Sequence, residues 1–408
     1  MKDTIYKIKS IIKDHFWIII LAFLLTILIF APLIAFPYVI GKDYQGINEN
    51  AFGTDAHFYL TRGKEVLEGH NLGSPLLREG KNEPDAIRSY SDQILLAPIK
   101  LLGLGQKVNI TTVYNIYNFI GVFLIILLIY YFVWQLSGSK LLSAAAALSA
   151  IGGYSMIYYK TIFYDNFNVY ARVIYPFISS FFLFLYFNLL LKSLKSAELK
   201  YKIFAALTFG LLFYIYFYAW SFVLALNACL FLILLFKKDF FSAKKVLLIS
   251  SVGLAFGAYN LIGLVASLYS GVGEQAAYFL WMSSGRGPIF SKIGFITLIL
   301  FALYFYKRRD DENWPLIFAI ILSGWVTLNQ QIITGRMLQY GHYYFYFIVP
   351  LAIIISLYMA WRLFNRENLR KYLFIFIIAV VFINTAGNSG GDFDIRRKFV
   401  FIYDTYAA

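Results

Sequence analysis

The chain is broken into long apolar runs separated by short basic segments, and this alternation constrains the fold more than any motif in it. A helix needs roughly 20 mainly apolar residues to cross the hydrocarbon of a bilayer, where its backbone must satisfy its own hydrogen bonds. Such runs occur at about 16–40, 112–134, 141–159, 173–191, 203–219, 221–236, 246–268, 293–306, 314–334, 343–361 and 372–388. The expected fold is therefore all-α: one polytopic transmembrane helical bundle over residues 1–408, with about 11 spans. Of the 408 residues 60% are hydrophobic and 14% charged, against about 25% charged in a soluble domain, which excludes an ordinary soluble enzyme.

Orientation follows from the cations, because lysine and arginine collect in cytoplasmic loops. With the N-terminus cytoplasmic, that side receives Lys2, Lys7, Lys9 and Lys13, then Lys140, then Lys192 to Lys202, then Lys237 to Lys245, then Lys307 to Arg309, then Arg362 to Lys371. The short outer loops hold only Lys160 and Arg172, Arg286 and Lys292, and Arg336. An odd number of spans then places the C-terminus outside, with residues 389–408 as a short extracytoplasmic tail, in a multi-pass protein of the plasma membrane. The first apolar run is too long for a signal peptide and lacks a small-residue cleavage site, so it counts as span one. The net charge of +14 would suit nucleic acid only if the cations shared one soluble face, but they punctuate apolar runs, so the implied partner is membrane lipid. A single cysteine, Cys229, leaves no intrachain disulfide and no thiolate metal cluster.

One connection differs from the rest. The outer loop 41–111 contains Asp43, Glu49, Asp55, Glu65, Glu68, Glu79, Glu83, Asp85 and Asp92, and no remaining acid falls inside an expected span. Coupled transporters generally need ionisable groups within the membrane, so ion-coupled transport is disfavoured. In this loop Thr54 suits an N-cap, Gly69 a C-terminal stop, and Ala56, Tyr59, Leu60, Gly63 and Leu67 mark one helical face. A second apolar piece, Ile94 to Leu102 with Pro98 inside, is too short to span. Two short amphipathic helices lying along the membrane surface are expected here. Asp55 falls in the first turn of the first one, where a helix N-terminus favours a carboxylate. Spacing alone leaves two readings open, a helix-start acid with no further role or a metal ligand or proton acceptor, and the same holds for His57 as surface contact or ligand.

Elsewhere on the outer side Asp165, Asn166 and Arg172 cluster, Glu274 and Arg286 flank Tyr278 and Trp281, and Arg336, Gln339 and His342 share one connection. Arginine binds phosphate through a planar multi-donor fork and protonated histidine adds a donor, so Arg336, His342 and Arg172 are candidate phosphate ligands, with pairing to lipid headgroups as the alternative for each alone. The 33 tyrosines and 41 phenylalanines suit interfacial belts and are assigned no site role.

The run Thr54-Asp55-Ala56-His57-Phe58-Tyr59-Leu60-Thr61-Arg62 after span one, followed by Glu65 to Gly69 and by Ile94 to Gly103, resembles the first loop of the GT-C superfamily of membrane glycosyltransferases. The resemblance covers about 65 residues at motif level and the rest through span count and topology. It implies two surface helices in that loop and gives Asp55 the role of catalytic base or metal ligand. There is no Asp-x-Asp pair in the loop and no WWDYG-type motif, which departs from the oligosaccharyltransferases and leaves a divalent metal open. What the resemblance implies is inverting transfer of a sugar from a polyprenyl-phosphate donor to an acceptor hydroxyl at the extracytoplasmic face of the cell envelope. Asp55 would take the acceptor proton and Arg336, His342 and Arg172 would stabilise the leaving phosphate. The alternatives are a lipid-linked glycan transporter, flippase or polymerase-like relative, which should carry internal repeats that are not visible here, and a non-catalytic membrane scaffold.

Overall fold

A computed structural model describes residues 2–43, 56–73, 81, 82, 85, 88–158, 168–172, 174–269, 274, 277, 282–364 and 366–407. Asp55, Asp165, Asn166, Tyr278 and Trp281 lie outside the described residues, as does the side chain of His57. The described chain is a helical bundle. Its long helices are α1 (Lys2–Ile40), α2 (Ala56–Glu68), α3 (Ser91–Leu101), α4 (Ile110–Ser137), α5 (Lys140–Ile151), α6 (Phe177–Lys195), α7 (Leu199–Ile215), α8 (Phe217–Phe236), α9 (Phe240–Leu268), α10 (Lys292–Lys307), α11 (Trp314–Leu328), α12 (Val349–Leu363) and α13 (Glu367–Ala407). Two two-residue strands, β1 (Ser283–Ser284) and β2 (Arg336–Met337), pair antiparallel.

Each expected apolar run is mostly helical over its described residues, and eight segments among the described residues are long and apolar enough to cross a membrane. The exceptions to that length are α5, α7 and α10, with 12, 17 and 16 residues. At 1.5 Å per residue, α7 covers roughly 25 Å against a hydrocarbon thickness of about 30 Å. α5 is shorter still because Gly152 and Gly153 end it where 141–159 was expected to continue. A Cβ on Gly152 would lie 2.6 Å from Thr385 Oγ1 and 2.9 Å from Leu25 and Val381, so α1 and α13 close on the end of α5. Residues 142–151 of α5 are all buried, and this small-residue helix is enclosed by α1, α4, α12 and α13.

Large apolar side chains face outward along the periphery, among them Phe23 on α1, Phe256 and Ile262 on α9, Ile296 and Leu303 on α10, and Phe376 and Ile383 on α13. An exposed apolar surface of this extent is what a bundle presents to lipid and what a soluble monomer avoids. The protein is a multi-pass membrane protein.

The connections divide between two ends. At one end Lys140 Nζ donates to Asp14 O, Asn313 Nδ2 to Leu136 O, Lys245 Nζ to Leu194 O, and Arg308 Nε to Arg362 O, while Lys195 pairs with Glu312 at 2.8 Å. The starts or ends of α4, α5, α6, α9, α10, α11 and α12 therefore meet there beside Asp14 of α1, together with most of the lysines. At the other end Tyr114, Ser89, Tyr175, Ile215, Tyr216, Asn260 and His342 interconnect. α7 ends in this second network, at Ile215.

Two boundaries differ from expectation. The break between the adjoining runs falls at Tyr216, which is extended, and not at Trp220. Residues 389–408, expected as a short tail, continue α13 as helix through Ala407. Asp392, four residues beyond the expected span 372–388, is paired with Arg396 at 3.0 Å.

Candidate functional site

α2 begins one residue after Asp55 and ends as anticipated. Gly69 takes a left-handed φ of 85°, its N–H donates to Val66 O at 3.2 Å, and His70 N–H donates to Glu65 O at 2.9 Å, closing a Schellman motif. The expected apolar face is the packed face: Ala56, Leu60 and Leu67 are buried, and Gly63 lets the Tyr114 ring approach, since a Cβ there would lie 2.5 Å from its hydroxyl. α2 packs on α3 and α4.

The same face carries Arg62, only 1% exposed, a buried cation the sequence reading quoted without giving it a role. Its Nη1 and Nη2 donate to the two carboxylate oxygens of Asp85 at 3.1 and 3.0 Å, its Nε donates to Asp92 at 3.0 Å, and Nη2 also reaches Ser89 O. Tyr114 donates to the other oxygen of Asp92 at 2.7 Å. Burial disfavours the charge, but the two carboxylates outweigh it and hold the guanidinium protonated well above its usual range. The signal available in the sequence was a cation three and four residues from Tyr59 and Val66, on the apolar stripe.

This cluster is continuous with the break between α7 and α8. The last carbonyls of a helix lack intrahelical donors. For α7 they are supplied from neighbouring elements: Asn260 Nδ2 to Phe213 O, Tyr90 N–H to Tyr214 O at 2.7 Å, and Tyr175 and Ser89 hydroxyls to Ile215 O at 2.7 and 2.9 Å. Tyr175 stacks on Tyr216 with ring centroids 4.1 Å apart, and the Tyr216 hydroxyl shares a 2.6 Å hydrogen bond with His342 Nδ1. His342 stacks in turn on Tyr346 at 5.3 Å. Arg172 Nη1 donates to the Tyr346 hydroxyl, with the guanidinium 6.0 Å from that ring's centre.

Local structure explains how these groups are held. Asn168 caps the turn Val169–Ala171 by accepting from Tyr170 N–H, and its Nδ2 donates to Ile151 O, while Asn118 Nδ2 donates to Arg172 O at 2.9 Å. Arg172 is thus fixed to α4 and α5. Tyr346 lies in a π-helical stretch, Tyr344–Ile348, directly before α12. Pro350 has no N–H to donate and its ring crowds the carbonyl four residues back, which is Tyr346, and this widens the turn.

Of the expected phosphate ligands, Arg172 and His342 therefore meet on Tyr346. Arg336 sits apart in β2, paired with Ser284; its side chain is exposed and makes no hydrogen bond or ion pair among the described residues. Arg286 donates to Ile332 O and Ile333 O, which secures the same hairpin-like mouth. Two small pockets lie within the bundle. A narrow apolar crevice lies between α8, α10, α11 and α12, bordered by Phe222, Thr297, Gly324, Trp325, Ile348 and Ala352. A small polar pocket lies beside the Arg172 turn, lined by Asn168, Thr385, Asn388, Ser389 and Asp392. Among the described residues no three histidine, cysteine or acidic side chains converge as metal ligands. No protein-family model matches this chain, and no curated protein matches it.

Proposed function

We propose that the chain is a GT-C-type membrane glycosyltransferase that moves a sugar from a polyprenyl-phosphate-linked donor to an acceptor hydroxyl at the extracytoplasmic face. The observation that carries the reading is the meeting of Arg172 and His342 on Tyr346, at the end of the bundle opposite the lysine-rich connections. A guanidinium and an imidazole gathered where water is restricted suit the charge that develops on a departing phosphate. Outward-facing apolar side chains along α9 and α10 suit contact with a lipid tail. By the positive-inside rule the lysine-rich end is cytoplasmic, which puts the N-terminus inside and the C-terminus outside.

Asp55, the residue before α2, would accept the proton of the attacking hydroxyl, with or without a divalent ion, and Arg336 at the exposed mouth would meet the donor phosphate on entry. The test is transfer by the purified chain from a polyprenyl-phosphate-linked sugar. Asp55→Asn is expected to abolish transfer while the protein stays folded and inserted, and Arg172→Ala to raise the donor concentration needed for half-maximal rate. Full activity in Asp55→Asn would remove that residue from the mechanism. Movement of the lipid-linked glycan across the bilayer without formation of a glycosidic bond would favour the transporter alternative instead.

A further inference from the structure

Arg88 lies two residues before Tyr90, in the segment that caps α7, and its side chain is seated but not paired. Its backbone adopts a left-handed φ of 49°, which non-glycine residues adopt infrequently. Asn260 Nδ2 on α9 clamps the Arg88 carbonyl at 3.0 Å. The guanidinium rests directly on α9 at Gly263, where any Cβ would overlap it. Three independent features of the chain therefore fix where this cation sits.

Part of its hydrogen-bonding capacity is unused. Nε is buried without a partner, and the side chain makes no ion pair among the described residues. The nearest acid in sequence, Asp85, is committed to Arg62 through both oxygens. Counting Arg62, Asp85 and Asp92 as a cluster of net charge −1, Arg88 restores neutrality at longer range, but its buried Nε–H has no acceptor. Leaving donors of a charged group unbonded is costly. Beside this seat, Phe256, Tyr259, Ile262, Val265 and Tyr269 are exposed along α9 and mark the lipid-facing surface.

We propose that Arg88, seated on Gly263 and clamped by Asn260, binds a phosphate oxyanion at the lipid-facing edge of α9. The site is separate from the Arg172 and His342 cluster and does not depend on the transferase reading. The fork of a guanidinium matches the oxygens of a phosphate group, and an apolar face alongside accommodates acyl chains. The same chemistry is offered by a lipid headgroup or by free phosphate.

The experiment follows thermal unfolding of the purified full-length chain in detergent while titrating dioctanoyl phosphatidic acid, dioctanoylglycerol or inorganic phosphate. Phosphatidic acid is expected to raise the unfolding midpoint saturably and dioctanoylglycerol to leave it unchanged. Stabilisation by phosphatidic acid alone identifies a headgroup as the source, and an equal response to inorganic phosphate identifies the free anion. Arg88→Gln should need roughly tenfold more ligand, the loss expected for one charge-assisted contact. Gly263→Ala displaces the guanidinium while keeping the net charge, and its expected loss of affinity separates a seated site from general attraction to a cationic protein. Should Arg88→Gln not fold, Arg88→Lys gives the reading, with affinity weakened by loss of the fork. Titrations in either folded Arg88 variant and in Gly263→Ala that match the wild type would overturn the proposal.

Discussion

The Tyr216 hydroxyl and His342 Nδ1 share a 2.6 Å hydrogen bond between residues 126 positions apart, and it joins the break between α7 and α8 to the irregular stretch before α12. Both partners sit where helical regularity fails: Tyr216 is extended between two helices, and His342 precedes the π-helical turn. Such departures recur at functional sites because they aim side chains that a continuous helix would direct elsewhere. Tyr216→Phe removes the bond and keeps the ring that stacks on Tyr175. A neutral hydrogen bond contributes about 1 kcal/mol, so donor KM is expected to rise roughly fivefold with little change in fold. Steady-state kinetics over a range of donor concentrations check this, and an unchanged KM would detach His342 from donor binding.

Arg62 and Asp92 are both almost fully buried, so removing one leaves the other uncompensated in a poor solvent for charge. Arg62→Leu is expected to destabilise the protein by about 3–5 kcal/mol. The double variant Arg62→Leu with Asp92→Leu should recover part of that loss, because the orphaned carboxylate is gone. Denaturant unfolding of the two variants in the same detergent gives the comparison, and a double variant no more stable than the single would mean that Asp92 is not the group left exposed to the cost.

Gly63 exists on α2 so that the Tyr114 ring can lie against the helix backbone. Gly63→Val forces the ring away and with it the bond from Tyr114 to Asp92. Overpacking of this kind costs about 1–3 kcal/mol. The expected signature is a lower unfolding midpoint that Tyr114→Ala in the same chain partly relieves, since the clash needs the ring.

How far the sequence reached depends on which force decides each feature. Long apolar runs are set by the bilayer itself, so each became mostly helix over its described residues, and Gly69 stopped α2 because only an αL residue closes that motif cheaply. The break at Tyr216 was misplaced by four residues because hydropathy is uniform across it; the donors that cap α7, Asn260, Tyr90 and Ser89, come from distant segments. α5 ended early for a similar reason, the close approach of α1 and α13 at Gly152. Arg172 and His342 were read as phosphate ligands from residue type, and their meeting on Tyr346 depended on Pro350 widening the turn before α12, which spacing does not reveal. Arg62 was visible as a cation on an apolar stripe, but its partners Asp85 and Asp92 were two among nine loop acids. Arg88 had no sequence signal, since what singles it out is a glycine on another helix.

The lysine-rich end offers a test in acid. Asp311 lies between α10 and α11, and its side chain is 3% exposed. Burial pushes its carboxyl up, but the Asn313 N–H, the Tyr358 hydroxyl, Tyr304 and Arg362 together hold it below its ordinary value of 3.8. A carboxylate whose folded pKa is depressed contributes stability that is fully present above its unfolded pKa and is lost as pH falls through the folded one. Asp311→Asn should therefore be less stable than wild type by about 2 kcal/mol at neutral pH, the scale of hydrogen bonds to a charged group. The difference should stay constant down to its ordinary value of 3.8 and shrink below it as the wild-type carboxyl takes up its proton. Unfolding of both proteins measured from pH 7 downward in one detergent decides the matter, because a gap that persists unchanged well below that value would mean the ion pair with Arg362 is not what ties α12 to the loop.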